Sequence, residues 1–180
     1  MLQITVPGVE CWDSEKERFV TTQPVTLTLE HSLVSLSKWE QKWCKPFLKK
    51  DKKSREETID YIKCMTLTQN VDPNVYYRLS EKNINDIYEY IEAPMTATTV
   101  PEEKGKTINR ETITSELIYY WMIALQIPFE CQKWHLNRLL TLIKVCNRKN
   151  TPPKKSSQRD LYAKHRAINE ANRKRFKSRG

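Results

Sequence analysis

Cys131 and His135 stand four residues apart, and His31 is the only other histidine before residue 147. On a helix, four-residue spacing puts a thiol and an imidazole on one face. That is half of a zinc site, or a Cys–His nucleophile pair. Neither reading finds support in the surrounding residues. No CxxC occurs, and no second ligand pair flanks the first. Cys146 follows Cys131 by fifteen residues, about four helical turns away. His31 precedes Ser32 at a strand-to-helix junction, where capping or packing is the usual role. The acids Glu56, Glu57, Asp60, Asp86, Glu89 and Glu92 read as solvated helical faces, although Glu89 and Glu92 share one side. Glycosidic or two-metal chemistry needs acids converging in a cleft. The three glycines, Gly8, Gly105 and Gly180, cannot spell GxGxxG or GxxxxGK, so a glycine-rich phosphate loop is excluded. The expectation is a chain that is not an enzyme, with no catalytic residues, no metal and no cofactor.

Charge points elsewhere. Residues 148–180 carry twelve Lys/Arg against Asp160 and Glu170, a net of +10, whereas the whole chain sums to +9. A near-neutral body therefore ends in a cationic arm. Its candidate contacts are Lys154, Lys155, Arg159, Lys164, Arg166, Arg173, Lys174, Arg175, Lys177 and Arg179. Such an arm seeks an anionic partner, either an acidic protein surface or nucleic-acid phosphates. Only Tyr162 and Phe176 interrupt it, which leaves little for base stacking. No sequence-reading signature accompanies it. A second candidate contact is aromatic: Trp39, Trp43 and Phe47 form a ridge that reads either as core or as a protein interface.

The elements that must position these groups follow from periodicity. Residues 2–6 and 24–30 alternate apolar and polar, and residues 9–12 and 19–22 flank a charged turn, predicting a hairpin or three-stranded sheet with one wet face. From residue 32 the period becomes helical. Ser32 caps a helix that ends before Pro46. Ser54-Arg-Glu-Glu57 is a capping box. Asp72-Pro73 opens a short helix, and Ser80 caps another with Ile84, Ile87, Tyr88 and Ile91 inward. Residues 94–111 lack a period and read as a loop. Residues 114–126 are apolar almost all round, predicting a central buried helix. Residues 129–147 resume the pattern, predicting its partner in an antiparallel helical hairpin. Residues 159–176 form a last helix with few apolar positions.

The fold class is thus α+β and mainly α-helical. An N-terminal β segment (1–31) precedes a helical body (32–150) built on the core helical hairpin. A basic C-terminal arm (151–180) follows, disordered or helical only on binding. Five widely spaced cysteines, an odd number, predict free thiols in a reducing cytoplasm. Met1-Leu-Gln-Ile-Thr reads as no leader, and no apolar run is long enough to span a membrane, so no membrane partner is expected.

Two stretches carry a resemblance. One is Leu29-Glu-His-Ser-Leu-Val-Ser-Leu-Ser-Lys-Trp-Glu40 followed by Lys45-Pro-Phe-Leu48. The other is Thr114-Ser-Glu-Leu-Ile-Tyr-Tyr-Trp-Met122 followed by Trp134-His-Leu-Asn-Arg-Leu-Leu140. With Pro152-Pro-Lys-Lys155 and the basic ending, nearly the whole chain resembles small tailed-bacteriophage proteins, the tail assembly chaperones. The resemblance implies a non-enzymatic role in the host cytoplasm. Such proteins bind the tape-measure protein, keep it soluble, help recruit tail-tube subunits and leave before the tail is complete. It further implies a compact helical body with a variable appendage. Under this reading the Trp39/Trp43/Phe47 ridge holds client helices, and oligomers can form. Two other readings stay open: a permanent virion component of the tail or head completion, and a non-specific nucleic-acid-binding protein acting through the arm.

Overall fold

A computed structural model of the chain describes residues 1–13, 17–100, 112–151 and 158–176. It is α+β and mainly helical. Strands β1 (Leu2–Val6), β2 (Glu10–Asp13), β3 (Arg18–Thr21) and β4 (Val25–Leu29) precede helices α1 (Leu33–Trp43), α2 (Arg55–Met65), α3 (Glu81–Glu92), α4 (Ser115–Ala124), α5 (Leu136–Asn150) and α6 (Gln158–Phe176). Short 3-10 helices occupy Pro73–Arg78 and Phe129–Lys133. Met1–Asn147 is one compact unit and Arg148–Gly180 another.

Of the expected hairpin or three-stranded sheet, the hairpin forms between β2 and β3, and β1 and β4 make a second antiparallel ribbon. β1 pairs with β4, from Leu2 opposite Leu29 to Val6 opposite Val25, and β2 pairs with β3. Alternation decides the inner face: Ile4, Val6, Leu27 and Leu29 are buried, while Gln3, Thr5 and Thr26 are exposed. The free edge of β4 is covered by the chain leaving α2. Glu30 N–H donates to Met65 O, and Leu67 N–H donates to Thr28 O. An edge that would otherwise recruit another strand is thereby closed.

The helices start where their caps stand. Ser32, Ser54 and Ser80 each accept the backbone N–H three residues on and form capping boxes, and Asp72 accepts from Asn74 ahead of Pro73. α1 stops at Cys44, whose φ of 51° is left-handed, just before Lys45-Pro46. α3 is rotated from expectation. Ile87 and Tyr90 are buried, and Tyr88 faces outward.

Two apolar clusters build the body. The first lies between the β1–β4 ribbon, α2, α3 and Pro73–Arg78, around Leu27, Ile62, Met65 and Ile87. The second joins α1, α4 and α5 through Leu33, Leu36, Ile118, Met122, Leu136 and Leu139. α1 belongs to both, because Trp39 enters the first cluster. α1, not α4, is therefore the central helix. α4 buries only Ser115, Ile118 and Met122, a narrow i, i+3, i+7 stripe laid against α1.

The predicted single helix over residues 129–147 is broken at Trp134, whose ψ is 162°. The cause is a tertiary backbone contact. His135 pairs with Ser32 as an isolated β-bridge, and Leu136 N–H donates to His31 O at 2.7 Å. The expected two-helix hairpin gives way to α4 and α5 sharing a core with α1. Among the described residues no helix is long and apolar enough to cross a membrane. Cys44, Cys64, Cys131 and Cys146 are free thiols.

Candidate functional site

The histidines come together, but in the interior. His31 is 2% exposed and His135 6%, and their rings meet edge-on with centroids 5.1 Å apart. His31 Nδ1 shares a hydrogen bond of 2.5 Å with the Tyr61 hydroxyl. Asn137 N–H donates to His135 Nδ1, which fixes the proton on Nε2, and Nε2–H donates to Tyr90 O at 2.9 Å. The Tyr90 hydroxyl donates to Glu30 Oε1 at 2.7 Å, and the Met1 ammonium lies 3.1 Å from Glu30 Oε2. Burial first, and the adjacent His135 second, push His31 down to about 3. Burial also lowers His135, against the opposing pull of its bond to Tyr90 O and of Glu30. Both imidazoles are neutral at neutral pH. They form a polar bolt where the two apolar clusters meet. Cys131, by contrast, lies on the 3-10 helix and shares no helical face with His135. Among the described residues no group of three or more His, Cys, Asp or Glu is placed to hold a metal ion.

The aromatic ridge also turns inward. Trp39 is 1% exposed, and its Nε1–H donates to Glu57 O at 2.9 Å. Trp43 Nε1–H donates to Asp60 Oδ2 at 2.9 Å. Phe47 stacks on Tyr61 at 3.8 Å and meets Trp39 edge-on at 5.0 Å. Of the ridge expected to hold a client, Trp39 packs against α2 and has no surface to offer, while Trp43 and Phe47 are half-buried. The same packing overturns the solvated reading of Glu57 and Asp60. Both are buried, paired with Lys45 at 2.7 Å and Lys42 at 2.5 Å. The bond from Lys45, aided by the Ser54 N–H, holds Glu57 below the usual carboxylate range. Buried Glu40 ties three segments, accepting Phe47 N–H at 2.8 Å and Ser115 N–H at 2.7 Å.

One open apolar surface among the described residues is on α4, where the sequence predicted burial. Tyr120 is 63% exposed and Ile123 62%, three residues apart on one face. Phe129, 53% exposed, tilts against Tyr119 at 6.5 Å. The face is rigidly framed. Thr114 caps the N-terminus by accepting Leu117 N–H. At the other end Gln126 adopts φ 54°, Ile127 N–H reaches Met122 O and Gln126 N–H reaches Ile123 O, a Schellman closure without glycine. Glu40 anchors the first turn from α1. A capped helix bearing unpartnered large apolar side chains is suited to receive the apolar face of another helix.

In the separate unit, every described side chain of α6 from Tyr162 to Phe176 is exposed. Lys164, Arg166, Arg173, Lys174 and Arg175 therefore stand in solvent, with Lys174 bonded to Glu170 at 2.9 Å one turn back. The backbone places Arg159 in α6. Lys154, Lys155, Lys177 and Arg179 lie outside the described residues. No family model, curated protein or solved structure matches the chain.

Proposed function

We propose that the chain is a non-enzymatic bacteriophage tail assembly chaperone, acting in the host cytoplasm on the tape-measure protein and on tail-tube subunits. The observation that carries this reading is the exposed Tyr120/Ile123 face of α4, with Phe129 beside Tyr119, on a helix capped at both ends. A long helical client presents apolar stripes that need temporary cover, and a fixed apolar face covers them by helix-to-helix packing. The two motif stretches support the assignment. The second of them, Thr114–Met122, contains Tyr120 and adjoins Ile123. Trp39, buried against α2, offers no surface to a client.

The exposed cations of α6 favour a second contact, with an acidic protein surface or with phosphates. Affinity capture of the tagged full-length chain from infected cells tests the reading. The tape-measure protein should co-purify with the natural chain, and Ile123→Glu should reduce recovery at least about tenfold, because a charge is forced into an apolar contact. Abundant protein in purified particles would instead make the chain a permanent virion component. Recovery of nucleic acid alone, lost in high salt, would assign it to phosphate binding.

A further inference from the structure

A concavity of about 490 Å³ opens between α2, α3 and the 3-10 helix Pro73–Arg78. Its floor includes buried Ile62 and half-buried Ile84, and its walls are tyrosines, of which Tyr77 is 59% exposed and Tyr88 48%. Lys53 and Arg55 stand at its margin. A smaller apolar recess shares Lys53, Ile62, Ile84 and Tyr88 and runs in toward Phe47, Ile87 and Ile91. The groove is unrelated to the α4 face and contains none of its residues.

Its lining carries two cations, Lys53 and Arg55, against one acid, Glu81. Nearby Lys45 and Lys49 have their carboxylates, Glu57 at 2.7 Å and Asp51 at 3.0 Å. Lys52, Lys53 and Arg55 make no ion pair among the described residues. Lys53 Nζ sits 4.5 Å over the Phe47 ring and is half-buried, within electrostatic reach of Glu57 and Asp51 but ion-paired with neither. A cation held this way gains most from an incoming carboxylate.

We infer that the α2–α3 groove docks an acidic amphipathic helix of a partner protein. Its apolar face lies on Ile62, Ile84 and Tyr88, and its Asp or Glu side chains reach Lys53 and Arg55. The volume admits large apolar anchors. The cations at the margin set orientation and association rate, and the apolar floor sets residence time. A nucleic acid is the poorer fit. Strands need a continuous cationic track and open aromatic planes, whereas here the cations gather at one end and the floor is isoleucine.

Fluorescence anisotropy on the full-length chain tests this with a labelled model helix, leucine on one face and glutamate on the other. Binding should weaken with salt and disappear when lysine replaces glutamate in the probe. Lys53→Glu combined with Arg55→Glu should weaken it on the order of tenfold. Tyr88→Ser should weaken it similarly, and Ile123→Glu should leave it unchanged. Tyr88 and Arg55 are exposed and Lys53 is half-buried, and circular dichroism checks that the variants fold. The proposal is overturned if the lysine probe binds equally well, or if affinity survives the groove variants, which would place the site elsewhere. It is also overturned if a thymidine oligonucleotide competes at the groove, or if the acidic helix shows no binding at millimolar concentration.

Discussion

Acid should unlock the core at His31. The unfolded imidazole titrates at the ordinary 6.5, and burial against His135 holds the folded one down to about 3. A depressed histidine is neutral in the fold, so below 6.5 the unfolded chain binds the extra proton. Stability therefore falls as pH drops through 6.5 and continues to fall until about 3. At pH 5.5 the unfolded imidazole is about ten-to-one protonated while the folded one is still neutral, a loss of about 1.4 kcal/mol relative to pH 7.5. His135, lowered by burial, adds to the loss in the same direction. Urea denaturation followed by tryptophan fluorescence should show the midpoint falling by about 0.7 M from His31 alone, for an m-value of about 2 kcal/mol/M. His31→Phe with Tyr61→Phe removes both partners of the 2.5 Å bond together, so neither is left unpaired. That double variant should lose the His31 share of the pH dependence and keep the part due to His135. A His31 ring proton titrating near 6.5 by NMR, or an unchanged midpoint between pH 7.5 and 5.5, would refute the reasoning.

Other perturbations separate structural from exposed groups. Trp39→Ala should cost about 3–5 kcal/mol in chemical denaturation, because a fully buried indole is removed and its bond to Glu57 O is lost. Glu40→Ala leaves Phe47 N–H and Ser115 N–H without an acceptor. It should cost about 2–4 kcal/mol and speed amide exchange at Ser115. Truncation after Asn150 should leave the melting transition of Met1–Asn147 intact while weakening capture of an anionic partner. Unfolding on truncation would contradict the division into body and arm.

What the sequence disclosed was local. Ser32, Ser54, Ser80 and Asp72-Pro73 announce their helices because a cap bonds within its own turn, and Pro46 announces an end. The wet face of β1 and β4 was legible from alternation. What stayed hidden depends on contacts between distant residues. The break at Trp134 comes from the β-bridge between His135 and Ser32, which no helical period can show. Glu57 and Asp60 look like surface acids until Lys45, Lys42 and Trp43 are brought to them. For α4 the signal was present and pointed inward. A helix apolar all round reads as a central one, yet α1 already fills that place, so the surplus apolar residues Tyr120 and Ile123 face out. Lys49–Lys53 read as a solvated charged loop, and only the fold sets Lys53 and Arg55 beside an apolar groove.

Co-expression with the tape-measure protein distinguishes a client-covering α4 face, as proposed, from an inert one. With a covering face, the tape-measure protein accumulates in the soluble fraction with the natural chain and precipitates with a folded Ile123→Glu variant. Equal solubility with both, or none with either, would contradict it.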